Sequence, residues 1–255
     1  MRYKLTFIGS GNVATNLAHA FNKAGHTINQ VVSRDLDNAK ALASKFGAYY
    51  GTKLSEIYND SDFILICVSD EAYKQIIEDF PLGINSIICH TSGPVPLDVL
   101  SSYATGHGVV YPLQSLTKHN LKDLLEVPIF VEWSSPALKD KIYDLADSIS
   151  NKVREVSSAD RLKYHLAAVF ANNYTNVMYD IAERYLSKEG LDFKYLLPII
   201  KDTANRIKIT KPRQVQTGPA SRGDEKIIEK HLEMLDDEKI KLIYRQLANF
   251  IMTKS

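Results

Sequence analysis

The sequence predicts an α/β protein: a mostly parallel sheet covered by helices, followed by a second, all-helical C-terminal domain. Three observations carry that prediction. Over the first 155 or so residues, short runs rich in β-branched and aromatic residues alternate with helical periods, the pattern of strand–helix–strand units. Those runs are near-continuously apolar, as strands buried on both faces are. From Ser157 onward only helical periods remain. The expected domains are therefore 1–155 and 156–255.

The expected strands are Tyr3–Ile8, Ile28–Val32, Phe63–Val68, Ser86–Cys89, Gly108–Tyr111, Pro128–Val131 and a run near Val153–Val156. Helical periods at Val13–Ala24 and Ala39–Phe46 run into Gly25 and Gly47, residues suited to a helix C-terminus. Asp35 or Asp37 is placed to cap the second of them. The stretch 80–110 reads as loops and short elements around two strands. Ser157 or Ser158 can cap a helix that continues to about Lys188, about 30 residues and ~45 Å. Asp192–Lys208 is a second helical period, mildly interrupted at Pro198. The loop Thr210–Gly223 carries two prolines and two glycines, and helices near Asp224–Leu235 and Asp237–Thr253 complete the chain.

Composition narrows the function classes. The 255 residues hold 31 Lys+Arg against 30 Asp+Glu, a net charge of +1, which argues against a broad nucleic-acid footprint. The longest apolar runs, Phe63–Val68 and Leu166–Ala171, fall far short of the ~20 residues that span a bilayer. The N-terminus enters a strand pattern with no secretory signal. A soluble, cytoplasmic protein with no membrane or nucleic-acid partner is expected. Cys67 and Cys89 make neither a disulfide framework nor a zinc site. They read as reduced core residues, and no metal site is expected.

The first strand leads directly into Gly9-Ser10-Gly11-Asn12-Val13-Ala14 and a helix. This is the G-x-G-x-x-A dinucleotide fingerprint of a Rossmann-like domain, in its required strand–loop–helix setting. Gly9 allows the tight turn, Gly11 lets the backbone approach a pyrophosphate, and Ala14 keeps helix and strand close. The helix start, with Ser10, Asn12 and Val13, offers N–H groups to an anion. An NAD site usually has an acidic residue at the end of the second strand. Here Ser33 and Arg34 stand there, a hydroxyl and a planar donor fork that suit the 2′-phosphate of NADP. Asp35 follows, and NAD is favoured instead if Asp35 rather than Arg34 faces the ribose.

Ligands in open α/β sheets sit beyond the carboxyl ends of the strands. Val68 and Ser69 follow one such end; His90, Thr91 and Ser92 lie at the next. Both loops are expected to flank the nicotinamide and its ribose. His90 is either a proton donor or a hydrogen-bonded structural histidine.

From Tyr164 to Tyr179 there is no Asp, Glu, Lys or Arg, so this stretch is expected to be largely buried. It nevertheless carries His165, Asn172, Asn173, Thr175 and Asn176. At 3.6 residues per turn His165, Asn172 and Asn176 fall within about 40° of one another. Such a stripe either bonds to other helices or a dimer partner, or lines a cleft and holds a polar substrate. In the second case His165 handles the proton and the asparagines orient the substrate. In Thr217–Asp224, Asp224 suits an N-cap. Arg222 is either a carboxylate ligand or half of a surface pair with Asp224.

Taken together, Gly9–Ala14, Ser33-Arg34, His90–Gly93, Tyr111–Ser115, Tyr164–Asn173 and Thr217–Asp224 resemble a bacterial two-domain family of NADP oxidoreductases. That family joins a Rossmann-like N-terminal domain to a helical C-terminal domain of unknown function. The architecture is similar to pyrroline-5-carboxylate reductase, ketopantoate reductase, the β-hydroxyacid dehydrogenases and coenzyme-F420-dependent NADP reductases. The resemblance implies NADP as cofactor, a small-molecule substrate and a homodimer formed through the helical domain. One departure matters. β-Hydroxyacid dehydrogenases carry Lys-x-x-Asn-Asn on this helix, and aligning Asn172-Asn173 puts Val169 at the lysine. The expected activity is hydride transfer to a small carbonyl or imine compound, plausibly bearing a carboxylate. His165, Asn172, Asn173 and Arg222 are its candidate catalytic residues. The competing reading is a non-catalytic NADP-binding sensor.

Overall fold

The computed structural model describes residues 1–81, 83–102, 104 and 106–253. Eight strands form one sheet in the order β3-β2-β1-β4-β5-β6-β7-β8. They are β1 (Lys4–Ile8), β2 (Thr27–Val32), β3 (Tyr49–Gly51), β4 (Phe63–Ile66), β5 (Ile87–His90), β6 (His107–Pro112), β7 (Ile129–Trp133) and β8 (Val153–Glu155). All neighbours pair in parallel except β6 with β7, which is antiparallel. Every residue of β4 and β5 is buried. Two apolar clusters account for this, one on each face of the sheet: Phe7, Leu65 and Cys89 belong to one, and Ile8, Ile64 and Ile88 to the other. Alternate residues of a strand point to opposite faces, so both must be apolar.

Helices α1 (Asn12–Lys23), α2 (Leu36–Ala43), α3 (Tyr73–Glu78) and α4 (Lys139–Asp147) lie between the strands. The fold expectation holds, with one strand added: β3 is three residues long, with Tyr49 62% exposed, and gives no buried-strand pattern in the sequence. Cys67 and Cys89 are free and buried. Burial pushes the Cys67 thiol up to about 12 and raises that of Cys89 as well.

After β8 the chain enters α5 (Ser158–Ala168), a π-helical turn (Val169–Tyr174) and α6 (Thr175–Lys188). Ser157 is the N-cap, accepting from the Asp160 amide. The compact units are 1–173 and 174–255. Secondary structure changes character near residue 155, as the sequence indicates, but the boundary between units falls inside the long helix. The reason is local. Arg161 on α5 is fully buried and bonded to groups of the sheet unit, so α5 belongs to that unit.

The second unit holds α6, α7 (Leu197–Arg206), α8 (Pro219–Arg222), α9 (Glu225–Glu233) and α10 (Glu238–Met252). Its core gathers Ala220, Ile228, Leu232 and Ala248. Pro198 sits in the first turn of α7, where a missing N–H costs nothing. A 3₁₀ turn, Phe193–Leu196, precedes it. Among the described residues no helix is long and apolar enough to cross a membrane.

Candidate functional site

The turn after β1 sets the geometry of the site. Gly9 has φ +108°, and a Cβ there would stand 2.2 Å from the Cys67 carbonyl oxygen. Only glycine lets this turn lie so close to the backbone leaving β4. The Gly9 amide donates to the Val32 carbonyl at 2.7 Å, which ties the turn to the end of β2. Gly11 is the N-cap of α1; no side chain caps that helix and no acid stands in its first turn. A Cβ on Gly11 would meet nothing within 4 Å, so its α-carbon faces open space. First-turn amides of a helix have no intrahelical acceptor, and with the helix dipole they form an anion site. Ala14, fully buried, keeps α1 against the sheet.

In front of this turn lies a cleft of about 660 Å³. Its polar wall includes Gly9, Ser10, Gly11, Ser33, Arg34 and Lys53, and its apolar wall includes Leu54, Val68 and Ile76. The Ser10 hydroxyl donates to the Ser33 hydroxyl at 2.8 Å, joining the glycine turn to the end of β2. Asp35 borders the cleft, but its carboxylate accepts from the Asn38 amide at 2.8 Å and caps α2. That settles which acidic residue is the cap. Arg34 is exposed and makes no ion pair among the described residues. Lys53 follows β3, and its acidic neighbour Glu56 stands 4.0 Å away with both side chains largely exposed, a weak pairing. Sequence reasoning missed Lys53 because it missed β3, which brings residue 53 alongside Arg34.

Val68 and Ser69 line the cleft as expected. Asn12 and Val13 do not. The Asn12 side chain accepts from the Lys118 amide at 3.0 Å, and Val13 packs against the main core. Their contribution to an anion site is therefore their backbone amides. The expectations for His90, Thr91 and Ser92 need a larger correction, since all three side chains turn inward. His90 is fully buried; its Nδ1 accepts from the Ser92 amide at 3.3 Å and its Nε2 has no partner. Burial, followed by the Arg161 charge, pushes its pKa down to about 3. It is a buried neutral group that does not line the cleft. Thr91 donates to the Ile66 carbonyl at 3.1 Å. Ser92 donates to Asp70 at 2.6 Å and accepts from the Val95 amide at 3.2 Å.

Those bonds shape the next feature. The loop leaving β5 presents Gly93, and a Cβ on it would stand 2.6 Å from Nδ1 of His165. The imidazole thus rests directly on the glycine backbone. Nδ1 of His165 lies 3.3 Å from the Tyr111 hydroxyl, at the end of β6. Beneath the loop Arg161 donates to the carbonyls of Gly93 at 3.2 Å and Val95 at 2.5 Å, and to Glu132 at 2.6 Å. Glu132 also accepts from the amide and hydroxyl of Ser158. One buried ion pair therefore fixes the start of α5 against the β5 loop, and with it the position of His165.

Asn172 donates to the Ser115 hydroxyl at 2.6 Å, while Asn173 is exposed. Asn172 lies in the π turn, whose wider turn breaks the 3.6-residue phase that put His165, Asn172 and Asn176 on one stripe. The expected burial of the charge-free stretch also fails within the single chain: Leu166 is 59% and Phe170 62% exposed. In the second unit, Arg222 ends α8, exposed and without an ion pair among the described residues. Asp224 caps α9 by accepting from the Ile227 amide at 3.3 Å, so no Arg222–Asp224 pair forms.

A glycine turn at a helix start, open toward a cleft beyond the carboxyl ends of parallel strands, defines a Rossmann-like dinucleotide-binding protein. Comparison with known proteins narrows the class. Residues 4–88 match the profile "NADP oxidoreductase coenzyme F420-dependent", and residues 127–251 match "Domain of unknown function (DUF2520)". A Bacteroides fragilis protein, provisionally named an NADP oxidoreductase, is 35% identical with a TM-score of 0.93, over 99% of each chain. The chain belongs to this family of two-domain NADP oxidoreductases. A Thermotoga maritima protein is 24% identical with a TM-score of 0.69, over 97% of this chain and 96% of that one. A reductive aminase from Aspergillus terreus, in complex with NADPH and ethyl levulinate, shares the fold at 16% identity. Its TM-score is 0.74, over 98% of this chain and 93% of that one. No curated protein matches.

Proposed function

We propose that this protein is an NADPH-dependent reductase of a small carbonyl or imine compound. The observation that carries the reading is the cleft itself, where an uncapped helix start and two cations, Arg34 and Lys53, share one wall while Asp35 is committed to a cap. The residues fit NADP. Gly9, Ser10, Gly11 and the first amides of α1 would hold the diphosphate. Ser33, Arg34 and Lys53 would hold the 2′-phosphate, whose charge a carboxylate in Arg34's place would repel. Val68 and Ser69 would flank the ribose on the nicotinamide side.

When bound, the reduced nicotinamide supplies a hydride to the electrophilic carbon. His165 gives the proton that the substrate's oxygen or nitrogen then needs, so that C=O becomes CH–OH or C=N becomes CH–NH. Asn172 or Asn173 orients the heteroatom. The test is NADPH oxidation across a panel of 2-oxo acids and cyclic imines. Turnover of one panel member is expected, and His165→Ala should lower it by about 10²–10⁴-fold while NADPH affinity stays within about twofold. Tight NADPH binding with no turnover across the panel would favour the sensor reading, which Val169 at the β-hydroxyacid dehydrogenase lysine position supports.

The reading includes a homodimer. Leu162, Leu166 and Phe170 present an apolar strip that is 49–62% exposed on the single chain, and contiguous strips of that kind mark association surfaces. Sedimentation should give twice the 28.7 kDa chain mass, and Leu166→Glu should return the monomer.

A further inference from the structure

Tyr111 does not line the cleft, yet its hydroxyl stands 3.3 Å from Nδ1 of His165. We infer that Tyr111 is a positioning residue: its hydroxyl donates to Nδ1 of His165 and holds the imidazole in the tautomer that carries its proton on Nε2. This rests on the role proposed for His165.

Three features of the site point the same way. The imidazole is pinned on its Nδ1 edge, because Nδ1 and Cγ are the ring atoms nearest to Gly93. The Nε2 edge is left free: it makes no hydrogen bond among the described residues, and it is not a buried unpartnered atom. A proton on Nε2 is therefore available to a ligand, and one on Nδ1 would not be.

The second feature is electrostatic. The charged groups acting on Tyr111 are Arg161 and Asp70. Asp70 already accepts from Ser92. The guanidinium of Arg161 is held by carbonyls and Glu132, so it does not itself donate to the phenol. With both charged neighbours committed to other partners, the phenol O–H is left to donate to His165.

The third is position. Tyr111 is the penultimate residue of β6, Gly93 lies in the loop leaving β5, and Ser92 bonds to Asp70 just beyond the cleft residue Ser69. The pair thus stands at the strand edge where the reacting end of a dinucleotide is expected. Which nitrogen of a histidine carries the proton is set by the bond the other nitrogen makes. The 3.3 Å separation is long for such a bond, and catalytic hydrogen bonds often tighten only when ligand binds.

The test is nitrogen-15 NMR of histidine-labelled full-length protein at a pH where the imidazole is neutral, with His165→Gln to assign the resonance among seven histidines. The wild-type spectrum is expected to show a protonated Nε2 and an unprotonated Nδ1 for residue 165. Tyr111→Phe, which keeps the ring, should lower that tautomer ratio by about fivefold, the loss of one hydrogen bond. Gly93→Ala should do the same by pushing the imidazole off its seat. A wild-type His165 protonated on Nδ1 would overturn the inference, as would a ratio unmoved in Tyr111→Phe. NADPH titration of the same samples reports on the proposed function separately. Failure to bind NADPH would overturn that reading and leave the tautomer result standing.

Discussion

Two stretches of the same sheet edge handle their polar groups in opposite ways. Around β1, β2 and β3 the donors are held open: an uncapped helix start, Arg34 without an ion pair among the described residues, and Lys53 loosely facing one acid. Around β5 and β6 they are consumed internally, with Thr91, Ser92, Arg161 and Glu132 all bonded within the fold. Open donors in a cleft are available to a ligand. Consumed ones build the platform that seats His165, the proposed proton donor. The difference separates residues whose loss costs affinity from those whose loss costs the fold.

The largest test of that division is Arg161→Met. It leaves Glu132 as an unpaired charge, 19% exposed, and should destabilise the protein by about 3–5 kcal/mol. The double change with Glu132→Gln should recover much of that loss, because the uncompensated charge is then gone as well. Urea unfolding of the single and double variants measures both, and a wild-type midpoint for Arg161→Met would end the platform argument.

On the open side, Arg34→Ala and Lys53→Ala should each weaken NADPH by about tenfold, roughly the value of one charge-assisted hydrogen bond. NADH affinity and unfolding midpoint should change little. Fluorescence titration with both nucleotides decides the matter, and equal losses for NADH and NADPH would reject the 2′-phosphate assignment.

A smaller effect concerns pH. His90 is held neutral in the fold, with a pKa pushed down to about 3, against about 6.5 in an unfolded chain. Between those values the unfolded state binds the extra proton, so stability rises with pH and falls as the solution is acidified from 6.5. His26 and His19 are shifted in the same direction, so the wild-type slope belongs to several histidines. His90→Asn isolates one: it should flatten the slope by about 1.4 kcal/mol per pH unit. Denaturant melts between pH 7 and 5 would show it.

The glycine turn was legible in the sequence because its requirement is local. A φ of +108° and a carbonyl 2.2 Å from the missing Cβ leave no choice of residue at position 9. The place of Ser33 and Arg34 on the cleft wall was legible for a related reason, since both stand at a strand end. Lys53 was not, since a three-residue edge strand leaves too short a pattern to read. The inward turn of His90, Thr91 and Ser92 was hidden as well. Residue type places them at a strand end, but only packing decides which way they face. The polar stripe assumed one helical period throughout, and the π turn at Val169–Tyr174 breaks it.

The contact between Gly93 and His165 ties together two parts of the chain that any engineer would be tempted to exchange separately. A single hydrogen atom is all the clearance the imidazole has, so residue 93 and the helix bearing residue 165 must travel as a pair. A chimaera that imports the helix onto a sheet with alanine at that spot would inherit a displaced ring, however well each half folded.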